Sequence, residues 1–303
     1  MGVDISRMEQ DVESRSAGTS GKKYLTIFTV VKPFIGKSET HQRNAICSWL
    51  NLGPHVEVLL FFDSPIPDDL RGVQSFEIQE RNRHGTPLLS EIFQKANDVA
   101  RSSVLAYINA DIILGEDFLR AIRKLDDSEL GEWLAIGCRH DLEVDSLINF
   151  ENESSWQAEL LESAASKTKK ASIVCKDYFI FPKGLFEQIP DFAVGRGNWD
   201  NWIVAHAKSL GLPVVDISQC VTAIHQNHDY SHVKGGRFAA YVHGDEAKEN
   251  QRLAGGRNLI RGSTPTWILN DEGVRKSRSG NWTFWKDSLN FLRLVGNLLF
   301  FRR

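Results

Sequence analysis

The sequence is poor in the residues that build cross-linked scaffolds. Its four cysteines, Cys47, Cys138, Cys175 and Cys220, stand far apart. They form no C-x-x-C pair and no Cys/His zinc spacing, which excludes a disulfide framework and a closed structural zinc module. Each lies in or near an apolar segment, so buried free thiols are expected. No apolar run reaches the roughly 18 residues that a membrane-spanning helix requires. Positive charge is not in excess either: 36 Lys and Arg face 39 Asp and Glu, a formal net charge of -3. A dedicated nucleic-acid binder is thereby disfavoured, because phosphate binding draws on a surplus of cations. Residues 1–23 are polar, rich in Ser and Gly, and lack the apolar core of a secretory signal. They read as a flexible tail, and the expected compartment is the cytoplasm.

What is present is more informative. At 303 residues and 42% hydrophobic, the chain suits one large α/β domain with appendages or two small domains. Eight Trp, 17 Phe and nine His are clustered rather than dispersed. From Tyr24 onward, short β-rich runs alternate with helical periodicity. Residues 24–31, 56–62 and 104–108 read as strands. Between them, Ser38 is a candidate cap for a helix carrying Ala45, Ile46, Trp49 and Leu50. Thr86-Pro87 would open a second helix with Leu89, Ile92, Phe93, Ala96 and Ala100 on one face. This series predicts parallel strands joined by crossovers. Open parallel sheets bind ligands beyond the carboxyl ends of their strands, which directs attention to Lys32, Asp63 and the Asn109–Asp111 stretch. Further strands are expected at 133–138, 173–181, 214–217 and 221–224, with a helix or a mobile loop over 151–170.

Three constellations could carry chemistry. In Tyr107-Ile-Asn-Ala-Asp-Ile-Ile-Leu114, residues two apart on an extended chain point the same way, so Asn109 and Asp111 can face one site. Oxygen ligands of this kind suit a hard divalent cation, which needs one or two protein carboxylates beside a diphosphate. The plainer alternative is a strand end whose Asn and Asp make local turn bonds. In Gly195-Arg-Gly-Asn-Trp-Asp-Asn-Trp202, Asn198 is a candidate N-cap and Asp200 falls in the first helical turn. There Asp200 either complements the helix dipole or serves as a base. The dipole would lower its pKa, and desolvation beside Trp199 and Trp202 would raise it. The third, Ile224-His-Gln-Asn-His-Asp-Tyr-Ser-His232, holds three histidines and an aspartate within eight residues. It points to metal or phosphate contact.

In this order the segments from about Tyr24 to Gly244 resemble the GT-A class of nucleotide-sugar glycosyltransferases. The resemblance implies an α/β, GT-A-like (Rossmann-like) fold: a mostly parallel central sheet flanked by helices, with a C-terminal helical extension. Asn109-Ala110-Asp111 takes the place of the D-x-D motif that holds a divalent metal on the sugar diphosphate, with direct ligation resting on Asp111. His225, or else His228, takes the place of a further metal ligand. Mixed carboxylate and imidazole ligation favours Mn²⁺ over Mg²⁺. Asp200 matches the acceptor-side base of inverting members. The resemblance also implies that Thr29 and Lys32, with Pro33-Phe34, flank the base and ribose, and that Asp63 contacts one of them. Arg81, His84, Gly85 and Thr86 would lie near the diphosphate, and Asn109 and Trp199 belong to the same donor site.

The expected organisation is a tail (1–23), a catalytic domain (24–246) and an extension (247–303). Within the extension, Trp285, Leu289, Leu292, Val295 and Leu299 recur at helical spacing among basic residues. Residues 282–303 would pack on the domain, on a second subunit in a homo-oligomer, or on an anionic membrane. The last case gives a peripheral location on the inner face of a membrane. The expected partners are a UDP- or GDP-sugar and a glycan or lipid-linked acceptor, with no nucleic acid. Two alternatives stand beside this reading: a metal-dependent hydrolase or phosphoesterase, and a nucleotide-sugar or glycan-binding protein without turnover.

Overall fold

The computed structural model describes residues 23–150, 153–167, 176–227, 243–256 and 264–277. Residues 1–22 of the N-terminal tail, His228, Cys175 and the expected helix over 282–303 lie outside these residues.

The strands are β1 (Leu25–Val30), β2 (Val56–Phe62), β3 (Val73–Glu77), β4 (Val104–Ile108), β5 (Ile112–Ile113) and β6 (Leu134–Ile136). They continue as β7 (Arg139–Leu142), β8 (Tyr178–Pro182), β9 (Val214–Asp216), β10 (Ala223–Gln226), β11 (Trp267–Asn270) and β12 (Gly273–Lys276). The helices are α1 (Lys37–Leu50), α2 (Leu89–Val99), α3 (Glu116–Asp126), α4 (Glu153–Lys167), α5 (Trp199–Ser209) and α6 (Asp245–Leu253). Nine strands form the central sheet in the order β12-β11-β9-β6-β8-β4-β1-β2-β3, and β5-β10-β7 form a small second sheet. The expected α/β fold, a mostly parallel central sheet flanked by helices, is the observed one. Only β8 and β12 run against the other strands of the central sheet.

Alternation along the strands builds the two faces. Leu25, Ile27, Val58, Leu60, Val104, Ala106 and Ile108 pack on one side with Ala45, Ile46 and Trp49 of α1 and with Phe118, Ile122 and Leu125 of α3. Phe28, Leu59, Phe61, Leu105 and Tyr107 pack on the other with Ile92, Phe93 and Ala96 of α2 and Ile203, Val204 and Ala207 of α5. Strands covered on both faces become continuous apolar runs, which is why β1, β2 and β4 are the easiest to read in the sequence.

Several local expectations are corrected. Ser38 does not cap α1: the N-cap is Gly36 at φ 57°, with no side-chain cap bond. Thr86-Pro87 does not open α2, which starts at Leu89 after an extended Leu88. Strand β3 has no counterpart in the expected set. Segments 214–217 and 221–224 do yield strands, but β9 joins the central sheet and β10 the small one. Helix α6 spans Glu246, and beyond it β11 pairs in parallel with β9 and buries Leu269 completely. The described cysteines Cys47, Cys138 and Cys220 are free thiols, Cys138 buried and the other two half-buried. Among the described residues no helix is long and apolar enough to cross a membrane.

Candidate active site

Because β1, β2 and β4 are parallel, their carboxyl ends share one edge of the sheet. Strand β8 runs against β4, with Ile108 opposite Tyr178, so β8 begins where β4 finishes. Lys176 and Asp177 are thereby delivered to the same edge.

Asn109-Ala110-Asp111 is the turn from β4 into β5. The Ile112 amide donates to the Asn109 carbonyl (3.1 Å), and the Asn109 amide donates to the Asp177 carbonyl (2.9 Å). Asn109 Nδ2 also donates to Asp177 Oδ1 at 2.9 Å. The chain turns here instead of continuing extended, so the two-residue alternation expected for Asn109 and Asp111 does not apply. Helix α1 fixes the turn from behind: Trp49 Nε1 donates to the Ile112 carbonyl (2.9 Å), and Ser48 Oγ accepts the Leu114 amide (3.2 Å).

Asp111 meets His225. Strand β10 pairs with β5 on one side and with β7 on the other, where His225 is in register with Asp141. His225 Nε2 lies 3.7 Å from Asp111 Oδ2, and its Nδ1 lies 2.8 Å from Asp141 Oδ1. Arg139, two residues before Asp141, joins the group. Its Nε is 2.9 Å from Asp141 Oδ1, and its Nη1 donates to Asp177 Oδ2 at 2.7 Å. Three carboxylates thus surround one guanidinium and one imidazole. Tyr107 beneath them has its phenol pushed far up, by burial first and then by Asp111 and Asp177.

Asn198 precedes α5 in the left-handed region at φ 82°, without a side-chain cap bond. Asp200 in the first turn is half-buried, and desolvation raises its pKa above the ordinary Asp value. Lys176 and the Asn201 amide act in the opposite direction, while Asp177 adds to the rise. Burial therefore prevails over the nearby cation and the backbone amides. Lys176 is itself buried and donates from Nζ to Asn201 Oδ1 at 3.1 Å.

The donor-side residues divide. Lys32 is exposed, its backbone clamped by Gln42, whose Oε1 accepts the Lys32 amide (2.6 Å) and whose Nε2 donates to the Lys32 carbonyl (3.0 Å). Arg81 Nη1 reaches both Asp63 Oδ2 (3.3 Å) and the Gly85 carbonyl (3.2 Å). Asp63, Arg81 and Gly85 are thus brought together. Within this turn the Asn82 side chain accepts the His84 and Thr86 amides, and Gly85 takes φ 81°, a conformation other residues rarely adopt. Glu246 of α6 holds the turn down, accepting from Asn82 Nδ2 (2.7 Å), from Thr86 and from Arg196 (2.6 Å). Two residues expected at the donor site are enclosed. Thr29 is fully enclosed within β1. Trp199 is a core residue, its ring centroid 4.9 Å from Phe179 and 5.1 Å from Tyr107.

Lys176, Asp177, Arg139 and Asp141 escaped the sequence reading. The rule for parallel sheets points to residues that follow strands, whereas Lys176 and Asp177 precede an antiparallel one. The available signal was a Lys-Asp pair opening an aromatic run. A cavity of about 400 Å³ lined by Phe61, Phe76, Glu91 and Lys95 contains none of the residues of this edge. Among the described residues, no group of three or more His, Cys, Asp or Glu side chains is placed to hold one metal ion.

No protein-family model and no curated protein matches the chain. Among solved structures it is similar to residues 1–349 of S. aureus TarS, at 12% identity and a TM-score of 0.40, over 78% of this chain and 65% of that one. The chain therefore spans less than two thirds of that structure. It is also similar to the same TarS fragment in complex with UDP-GlcNAc, at 11% identity and a TM-score of 0.28, over 42% of this chain and 37% of that one. Overlap this weak does not bear on chemistry, which has to come from the side chains described above.

Proposed function

We propose that this protein is a glycosyltransferase that moves a sugar from a nucleotide-diphosphate donor to a glycan or lipid-linked acceptor. One observation carries this reading: a carboxylate–imidazole pair, Asp111 and His225, follows β4, and Asp177, delivered to the same end of β4, acts on a separate carboxylate, Asp200, whose proton affinity burial has raised.

The donor set at the first pair fits a divalent cation. The 3.7 Å between Asp111 Oδ2 and His225 Nε2 exceeds hydrogen-bond length and suits two atoms ligating one ion. An ion with two protein ligands keeps its remaining positions for water and phosphate oxygens. Mixed oxygen and nitrogen ligation favours Mn²⁺ over Mg²⁺. When bound, the ion would supply positive charge to the departing diphosphate.

The chain's own residues do the rest. Arg81, exposed beside the donor edge, attracts the nucleotide's phosphates on a protein of negative net charge, and Lys32 flanks the base and ribose. Asp63 accepts from the base or ribose. Asp200 takes the proton from the acceptor hydroxyl as that oxygen attacks the anomeric carbon, and the configuration inverts. A carboxylate with a raised pKa is the stronger base, which suits Asp200 to this step.

The experiment is calorimetric titration of the protein with UDP and GDP, with and without Mn²⁺, followed by an assay for sugar release. Mn²⁺-dependent binding of one diphosphate, with sugar passed to an acceptor, is the expected result. Sugar released only to water would replace the reading with a hydrolase. Binding without turnover would leave a binding protein, and absence of binding would remove the reading altogether.

A further inference from the structure

Helix α6 supplies no reacting group, yet it joins the donor turn to the loop that leads into α5. Glu246, in the first turn of α6, has one carboxylate oxygen for each. Its Oε1 accepts from Asn82 Nδ2 in the donor turn (2.7 Å). Its Oε2 accepts from Arg196 Nε (2.9 Å) and Nη2 (2.6 Å), in the loop before α5. The two side chains of this ion pair are largely enclosed, Glu246 at 14% exposure and Arg196 at 17%, so the pair is screened little by solvent.

A second side chain of α6 strengthens the tie. Asn250 lies one turn after Glu246, hence on the same face of the helix, and is buried. Its Oδ1 accepts the Ala193 amide (2.8 Å), and its Nδ2 donates to the Ala193 carbonyl (3.1 Å). On its other side this stretch pairs with the chain leaving the donor turn. The Val194 amide donates to the Pro87 carbonyl (3.0 Å), and the Leu89 amide donates to the Phe192 carbonyl (2.9 Å). Residues 192–196 are thus held between the donor turn and α6. Gly195 at φ 69° and Asn198 at φ 82° then turn the chain into α5, whose first turn carries Asp200.

Hydrogen-bond sense explains why a carboxylate stands at position 246. The Asn82 side-chain oxygen is taken by the His84 and Thr86 amides, so Asn82 offers Glu246 only its Nδ2 donor. A guanidinium likewise has donors alone. A group between two donors has to accept on both sides. Glu does so with separate oxygens, whereas Gln would accept on one side and present an amide donor to the other.

We propose that Glu246 is a positioning residue that couples the donor turn to the loop carrying Asp200, so that a nucleoside diphosphate seated on the turn also fixes the first turn of α5. This inference rests on the reading of that turn as part of the donor site, and the test separates the two.

Backbone hydrogen exchange of the full chain is measured in the presence of Mn²⁺, with and without UDP and with and without GDP, and circular dichroism confirms folding. In the wild type, the diphosphate that binds should slow exchange by about fivefold or more, in the donor turn (82–86) and also across residues 196–202. In Glu246→Gln, a change of little volume, protection should remain at 82–86 and disappear from 196–202. Adding Asn82→Asp gives the new amide an acceptor and should restore the transmitted protection. Protection confined to the turn in the wild type would overturn the coupling while leaving the donor reading intact. Transmitted protection that persists in Glu246→Gln would assign it to the pairing of Val194 with Pro87 and overturn the role of Glu246. Binding of neither diphosphate by the wild type, or binding that leaves 82–86 unprotected, would overturn both.

Discussion

Lys176 Nζ donates a 3.1 Å hydrogen bond to Oδ1 of Asn201, the residue next to Asp200. A buried ammonium is thus fixed beside a carboxylate that burial pushes toward protonation. The two influences on Asp200 oppose each other, and desolvation is the larger.

Replacing the carboxylate tests its role. Asp200→Asn is expected to lower kcat by about 10²- to 10⁴-fold, the usual contribution of a positioned base, with nucleotide affinity unchanged. Turnover near wild type would remove Asp200 from the mechanism. Stability should move the opposite way. Asp200 binds its proton more tightly in the folded chain, so its stabilising contribution is complete below the ordinary Asp value of about 3.9. That contribution is lost as pH rises through the raised folded value. At neutral pH the charged group opposes folding, and the Asn variant is expected to melt at a higher temperature than wild type.

Lys176→Met removes the cation that restrains this shift. The Asp200 pKa should rise further, and the acid limb of the kcat/KM profile should move to higher pH. A limb that stays in place would show that the group titrating there is not coupled to Lys176.

Glu246 provides a contrasting sign. Burial pushes its carboxyl up, but bonds from Asn82, Thr86 and Arg196 outweigh burial and leave it below the usual Glu value. Its stabilisation is present above the ordinary value of about 4.3 and is lost as pH falls through the lower folded one. Glu246→Ala would strand Arg196 and free the turn from Asn82 to Thr86, at an expected cost of about 1–3 kcal/mol in urea unfolding. A change below about 0.5 kcal/mol, typical of surface substitutions, would show that the clamp contributes little.

Gly137 follows β6, and a Cβ there would lie 1.9 Å from Tyr178 Oη and 2.8 Å from its Cζ. Tyr178 is fully buried and cannot swing into solvent. Gly137→Ala should destabilise the fold by about 1–3 kcal/mol through overpacking. Adding Tyr178→Phe removes the nearest atom and should restore part of the loss. Additive effects of the two substitutions would refute direct contact.

The sequence exposed the chemistry more readily where one strand sufficed. Asp111 and His225 each follow or end an apolar run, and their meeting was an expectation of the GT-A resemblance, with His228 as the alternative to His225. Asp141 and Arg139 could not be found that way, because their value lies in the register between β7 and β10. The enclosure of Thr29 and Trp199 is hidden for a related reason. A hydroxyl or an indole in an apolar run looks available for contact until packing encloses it. Strand β11 is equally hard to place from the sequence, since it is short and its partner β9 is distant in the chain.

By itself the sequence determined the α/β class, through short continuous apolar runs alternating with helical ones, and it determined which residue types stand at the ends of β1, β2 and β4. Those features follow from local stereochemistry and from burial on both sheet faces. Only the tertiary structure decided the direction of β8 and the register of β10 with β7. Direction and register depend on hydrogen bonds between residues far apart in the chain. They bring Lys176, Asp177 and Asp141 to the edge where Asp111, His225 and Asp200 already stand.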